Sequence, residues 1–378
     1  MRVLLLSKAC ITGIYQRKLV EIARCGVDLI AAVPPGWRDE RGYQPLECAY
    51  TEGYDLRGTP IAFNGSFHLH FYPRLRRLIA EVQPDLIHVD EEPYNLATWQ
   101  AVRLAHRASI PALFFTWQNL NRRYPPPFCW IERSVYRRAA FGLAGNRDAV
   151  DVLRAKGYSG RLRVIPQFGV DPALYDRAIY PQGDAPFVIG YAGRLVPEKG
   201  IADLLRAAAH LSAAPGTGAW ELHMLGSGPE RKRLQSLAEA LGIAGNVRFE
   251  GQIPSGEMPA RLARLHLLVL PSHTRSNWME QFGRILIEAM ISGVPVVGSN
   301  SGEIPNVIGD AGLVYPEGEV STLREHIHSL MVDPDLWMIY AQLGRDRVHA
   351  RYTQARIAAE TVEVYRAILE GDLPEGLT

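Results

Sequence analysis

Phe187-Val188-Ile189-Gly190-Tyr191-Ala192-Gly193-Arg194-Leu195-Val196-Pro197-Glu198-Lys199-Gly200 is the stretch on which the reading of this chain turns. The apolar run Phe187–Tyr191 reads as a buried strand, and the periodic residues after Gly200 read as a helix over Ile201–Leu211. Between them, the glycines let the backbone come close to a ligand, and the helix start offers unpaired N–H groups with a favourable dipole. Arg194 and Lys199 add a fork-shaped donor and a point charge at the same turn, the combination that anchoring a diphosphate requires. Taken alone, the same residues also describe a surface loop with solvated cations.

The alternation continues outward from this unit. Strands are expected at Trp220–Leu225, Val247–Phe249, Leu267–Leu270 and Pro295–Gly298, with helices at Glu230–Leu241, near Met258–Arg264, and at Arg284–Ile291. Helices over Thr322–His328 and Ile357–Leu369 close the chain. Towards the N-terminus, apolar runs at Val3–Ser7, Val27–Val33, Asp85–Val89, Ala112–Thr116 and Gly142–Ala144 alternate with helical stretches at Lys18–Arg24, Phe71–Val82, Asn95–Ala108 and Ile131–Ala140. Short continuous apolar strands between helices indicate parallel sheets covered on both faces. The proline- and glycine-rich stretch Gly169–Pro186 has little periodicity and reads as a linker. The expected architecture is α/β, two doubly wound Rossmann-like domains at 1–172 and 173–352, with a C-terminal helix within 353–378 packing back on the first. Two such sheets in tandem would place a cleft at the carboxyl ends of their strands.

A length of 378 residues favours two cores over one. No apolar run approaches the roughly 20 residues of a membrane helix, and the first apolar run is interrupted by Lys8, which argues against a signal peptide. The chain is therefore expected to be cytoplasmic, and Cys10, Cys25, Cys48 and Cys129, with no Cys-x-x-Cys pair, to be reduced thiols. Residues 1–172 hold 23 Lys+Arg against 16 Asp+Glu, whereas the rest holds 18 against 24. The basic half suits a phosphate-rich or membrane-surface partner, and no nucleic-acid motif accompanies the charge.

A second motif, Glu280-Gln281-Phe282-Gly283-Arg284-Ile285-Leu286-Ile287-Glu288, places one carboxylate ahead of a helix start and another on the helix. A separation of eight does not stack the pair on one face, so the two carboxylates should have different tasks. The amides of Phe282, Gly283 and Arg284 could meet phosphate oxygens between them. An isolated pair of this kind is equally an ordinary helix-start acid and an amphipathic-helix Glu. The order of motifs decides: the Arg194/Lys199 turn, Leu225-Gly226-Ser227-Gly228-Pro229, the Glu pair, and Gly293-Val294-Pro295-Val296-Val297-Gly298.

Over roughly Phe187–Tyr315 this series strongly resembles family 4 (group 1) of the retaining glycosyltransferases. The resemblance implies the GT-B architecture, two Rossmann-like domains facing a cleft, and transfer of a sugar from a nucleotide-diphosphate donor such as a UDP- or GDP-sugar. It assigns Arg194 and Lys199 to the donor diphosphate, Glu280 to the donor-sugar hydroxyls, Glu288 to the ribose, and the main chain at Ile253 to the base. Gly13, in Thr12-Gly13-Ile14, matches the family's glycine near the phosphates. The resemblance implies no metal at the diphosphate and no cofactor, the two cations stabilising the leaving group instead.

The first half is less similar. Many members place a His after the strand matching Ala112–Thr116, whereas Gln118 stands there in this chain. Gln can hydrogen-bond a sugar hydroxyl but cannot exchange a proton near neutral pH. That fits front-face retention in which the departing phosphate takes the acceptor's proton. His68 and His70 read as surface or cleft-wall residues. Asp90-Glu91-Glu92 suits either acceptor contact or a solvated acidic loop.

The acceptor is a saccharide, a lipid-linked hydroxyl or a small molecule. Arg122, Arg123, Arg133, Arg137 and Arg138 among aromatics suit an anionic membrane surface, although Phe128, Ile131 and Val135 facing a core with solvated arginines is the plainer reading. A non-catalytic sugar-nucleotide-binding partner is the alternative function, and keeping Arg194, Lys199, Glu280 and Glu288 together argues against it.

Overall fold

The computed structural model describes residues 1–39, 42–212 and 214–371. It divides into two compact units, Met1–Gly169 with the C-terminal segment from Gln354, and Val170–Thr353. The end of the expected C-terminal segment 353–378, residues 372–378, lies outside the described residues.

The first unit is built on seven parallel strands in the order Asp55–Gly58, Asp28–Val33, Arg2–Leu6, Leu86–Val89, Ala112–Thr116, Phe141–Ala144 and Arg161–Val164. Because side chains alternate along a strand, Arg2–Leu6 feeds two cores. Val3 and Leu5 enter one apolar cluster and Leu4 and Leu6 the other, all at most 1% exposed. The first cluster is completed from the chain's far end by Ile357, Val362 and Tyr365 of the helix Gln354–Glu370, which lies against Arg17–Arg24. Tyr365 also places its hydroxyl 2.6 Å from His88 Nδ1, giving one buried ring nitrogen a partner.

Two helices of this unit are shifted from the sequence reading. The expected Phe71–Val82 helix begins only at Leu75, because Phe71 is drawn into a backbone bridge with Ala62. The expected Ile131–Ala140 helix runs over Phe128–Tyr136 instead. A helix at Arg147–Ala155, capped by the Asn146 side chain accepting from the Ala149 amide, had no counterpart in the sequence reading.

The second unit carries six parallel strands in the order Val247–Gly251, Trp220–Leu225, Phe187–Ala192, Leu267–Leu270, Val296–Ser299 and Leu313–Tyr315. Helices Ile201–Ala209, Arg231–Ala240, Met258–Leu262 and Arg284–Ile291 follow the first four of these strands in sequence. The carboxyl ends of Phe187–Ala192 and Leu267–Leu270 are therefore next to one another, each opening into a loop and a helix start. Such a point is where ligands of doubly wound sheets bind. Among the described residues, no helix is long and apolar enough to cross a membrane.

Candidate functional site

In the second unit, three glycine loops lie side by side. Gly193 N–H donates to Leu225 O and Leu195 N–H to Ser227 O, both at 2.9 Å, and Gly226 bridges to Gly251. A Cβ on Gly226 would stand 1.8 Å from Gly193 O, and its φ of +157° lies outside the usual range of L side chains. Glycine is what allows the loop carrying Arg194 to seat on its neighbour. Arg194 itself is exposed, and its carbonyl accepts the Tyr191 hydroxyl at 2.7 Å. Ile253 is half-buried in the loop that follows Gly251.

Lys199 ends a short 3-10 turn, Pro197–Lys199, and Gly200 follows in the left-handed region at φ +61° as the N-cap of Ile201–Ala209. A Cβ there would meet Pro271 O at 1.9 Å, so the Lys199 turn is pressed against the loop after Leu267–Leu270. That loop supplies the partners. Lys199 Nζ is 2.5 Å from Glu280 Oε2, across 81 residues of sequence, and Ser272 Oγ donates to the same oxygen at 3.0 Å. Both side chains are mostly buried, 17% and 11% exposed. Lys199 Nζ also lies 4.9 Å from the centre of the Trp278 ring.

The second carboxylate has a different partner. Gly283 in the left-handed region starts the helix Arg284–Ile291, where Arg284 Nε donates to Glu288 Oε1 at 2.8 Å. Burial raises the Glu288 carboxyl above its ordinary value, against the pull of Arg284. The Tyr175 hydroxyl is hydrogen-bonded to the same Arg284. Phe282 is buried with its ring 5.7 Å from that of Tyr352. The structure thus brings Lys199 and Glu280 together and keeps Glu288 with Arg284. Ser272, Trp278 and Tyr175 escaped the sequence reading, since nothing in a lone Ser, Trp or Tyr signals which loop it faces.

Gly13 and Gln118 belong to the first unit. The Gly13 amide is already engaged, donating to Glu47 Oε2 at 2.5 Å. The Gln16 side chain holds the same segment, accepting the amides of Ala49 and Tyr50 at 3.1 and 3.3 Å. A carboxylate therefore occupies the amide expected near the phosphates. Gln118 is 7% exposed, donates to the Tyr124 hydroxyl at 3.4 Å, and leaves its Oε1 buried with no hydrogen-bond partner.

The neighbouring acidic run is not solvated. Asp90 and Glu91 are 4% and 5% exposed. Ser7 Oγ donates to Asp90 at 2.7 Å, and Lys8 and His70 face Glu91 at 3.5 and 3.6 Å. His70, expected at a surface or wall, is fully buried beside Glu91. Burial pushes the Asp90 carboxyl up to about 6, against Lys18. Glu91 goes the other way, to about 2, because Lys8 and His70 outweigh its burial. On the helix Phe128–Tyr136, Val135 is buried while Trp130 and Arg133 are exposed, as is Arg137 just past its end.

Glu92 accepts from Thr116 Oγ1 at 2.6 Å and from the Trp117 amide at 2.8 Å, and burial, only partly offset by these bonds, raises it to about 7. A raised folded-state value means stability that is complete below the unfolded carboxyl value of about 4.3 and lost as pH rises through about 7. Glu92→Gln is therefore expected to match the wild type near pH 4 and to exceed it near pH 8 by about 1–3 kcal/mol. Urea unfolding at the two pH values measures this; an unchanged pH dependence contradicts it.

With this geometry in view, comparison with known proteins is specific. Residues 176–347 match the family described as glycosyl transferases group 1, and residues 15–167 match a glycosyl transferase 4-like domain. A GDP-mannose-dependent alpha-(1-6)-phosphatidylinositol monomannoside mannosyltransferase of Mycobacterium tuberculosis is 31% identical over 314 residues, 78% of each chain. A 2-deoxystreptamine N-acetyl-D-glucosaminyltransferase of Streptomyces fradiae is 31% identical over 180 residues, 47% of this chain and 40% of that one. Sucrose-phosphate synthase from Thermosynechococcus elongatus superposes with a TM-score of 0.72 at 19% identity, covering 98% of this chain and 100% of the other. Anabaena HepE, solved with UDP, gives 0.71 at 19% identity over 97% and 100%. The chain belongs to the group 1 glycosyltransferases and has the GT-B fold.

Proposed function

We propose that this protein is a retaining glycosyltransferase that moves a sugar from a UDP- or GDP-sugar to a hydroxyl of a glycan, a lipid-linked acceptor or a small molecule. The observation that carries the reading is the meeting of Lys199, Glu280 and Ser272 at adjoining strand ends of the second unit. Arg194 and Lys199 neutralise the diphosphate as it leaves, Glu280 holds donor-sugar hydroxyls, and Glu288 holds the ribose. The main chain at Ile253 meets the base, and the amides of Phe282, Gly283 and Arg284 the phosphates. The nucleotide-diphosphate donor is supported by the relatives, one described as GDP-mannose-dependent and one solved with UDP. Gln118, unable to shuttle a proton near neutral pH, suits a reaction in which the departing phosphate accepts the proton of the acceptor hydroxyl.

Thermal unfolding with UDP, GDP and ADP identifies the base, since a ligand at a hundred times its Kd stabilises the native state by about 2.7 kcal/mol. Transfer from the matching sugar nucleotide is then expected to continue in EDTA, with the donor's anomeric configuration kept in the product. Activity that vanishes in EDTA and returns with magnesium contradicts the metal-independent reading. A product of inverted configuration contradicts retention.

A further inference from the structure

Seven residues, His273–Met279, separate Ser272 from Glu280, yet the hydrogen bond between those two closes the loop at its base. The loop's first half is tied down on several sides. His273 donates its amide to Glu198 O at 2.8 Å, and its Nε2 lies 2.7 Å from Asp203 Oδ2. Thr274 gives both its amide and its hydroxyl to Glu317, at 2.7 and 2.6 Å. The second half then folds back on itself, Arg275 and Trp278 exchanging backbone hydrogen bonds at 2.7 and 3.3 Å. The product of this anchoring is the position of Trp278, whose ring centre is 4.9 Å from Lys199 Nζ.

Lys199 is therefore held from two sides by different physics. Glu280 attracts it as a charge and competes with any phosphate that approaches. The indole attracts it through the negative face of its ring, carries no charge, and displaces water from that side of the ammonium. When an anion draws Lys199 from Glu280, the indole contact can persist. We propose that Trp278 is a positioning residue for Lys199, keeping the ammonium at the diphosphate seat whether Glu280 or a phosphate is its counter-ion. This rests on the reading of Lys199 as the diphosphate cation.

The test is a double-mutant cycle on the affinity of UDP or GDP, whichever the wild type binds, measured by calorimetry. Trp278→Ala is expected to weaken binding about five- to thirtyfold, and Trp278→Phe to recover most of the loss because it keeps an aromatic face. In a Lys199→Met background, Trp278→Ala is expected to change nothing further. Equal losses in both backgrounds, which a merely structural loop residue would give, overturn the proposal, as does no loss in either. If the wild type binds neither nucleotide, the donor-site reading itself falls and takes this inference with it.

Discussion

Glu280→Gln is expected to lower kcat by between about tenfold and a hundredfold while a bare nucleoside diphosphate binds as well as before or more tightly. The first half follows from the proposed role of Glu280 as acceptor for sugar hydroxyls: hydrogen bonds to a charged group contribute about 1.5–3 kcal/mol, and the amide loses the charge while keeping the shape. The second half follows from geometry. Glu280 Oε2 lies 2.5 Å from Lys199 Nζ, so the carboxylate competes with the phosphates for that ammonium. Removing its charge releases Lys199 to the ligand, whereas Ser272 can still hydrogen-bond the amide. Steady-state turnover at saturating donor and calorimetry with UDP or GDP separate the two effects. Loss of nucleotide binding in this variant would show that Glu280 holds the nucleotide rather than the sugar.

The residues proposed to hold the donor could be picked out because they sit at fixed places in strand–turn–helix units. Arg194, Lys199, Glu280 and Glu288 could be named from glycines and helix starts, since the physics of a helix N-terminus is local in sequence. What the sequence did not show was pairing. Nothing in Glu280 and Lys199 separately says that they form one ion pair. Nor does the Gly13 turn say that Glu47 will take its amide. Asp90-Glu91-Glu92 was ambiguous for the same reason, because the partners that permit its burial, Ser7, Lys8, His70 and Thr116, come from several separate segments.

Three of the elements that escaped sequence reading share a physical trait, the lack of a simple apolar pattern. Asp55–Gly58 and Arg161–Val164 are edge strands, paired on one side only and carrying Arg57, Arg161 and Arg163. The helix Pro334–Arg351 buries only Trp337, Gly344 and Val348 of its 18 residues, so no continuous apolar stripe marks it. Its start was nonetheless written in the sequence: Asp333 caps it, accepting the Leu336 amide at 2.9 Å, and Pro334 takes the first helical position. Central strands such as Ala112–Thr116, buried along their whole length, were read to the residue.

Lys199→Ala is expected to have two separable consequences. Nucleoside diphosphate binding should weaken by about 1.5–3 kcal/mol, the range for a charge-assisted hydrogen bond. Arg194→Ala should do the same at the lower end, because Arg194 is exposed and water screens its charge. Only the Lys199 change should also destabilise the fold. It removes the cation that faces a mostly buried carboxylate, and breaking one side of a buried pair costs about 3 kcal/mol or more. The double variant Lys199→Ala with Glu280→Gln removes the stranded charge, so urea unfolding should show most of the stability restored. Calorimetry on that double variant should still show weak nucleotide binding, because the cation is gone. Recovery of binding together with stability would mean that Lys199 serves the fold alone and that the diphosphate is held elsewhere.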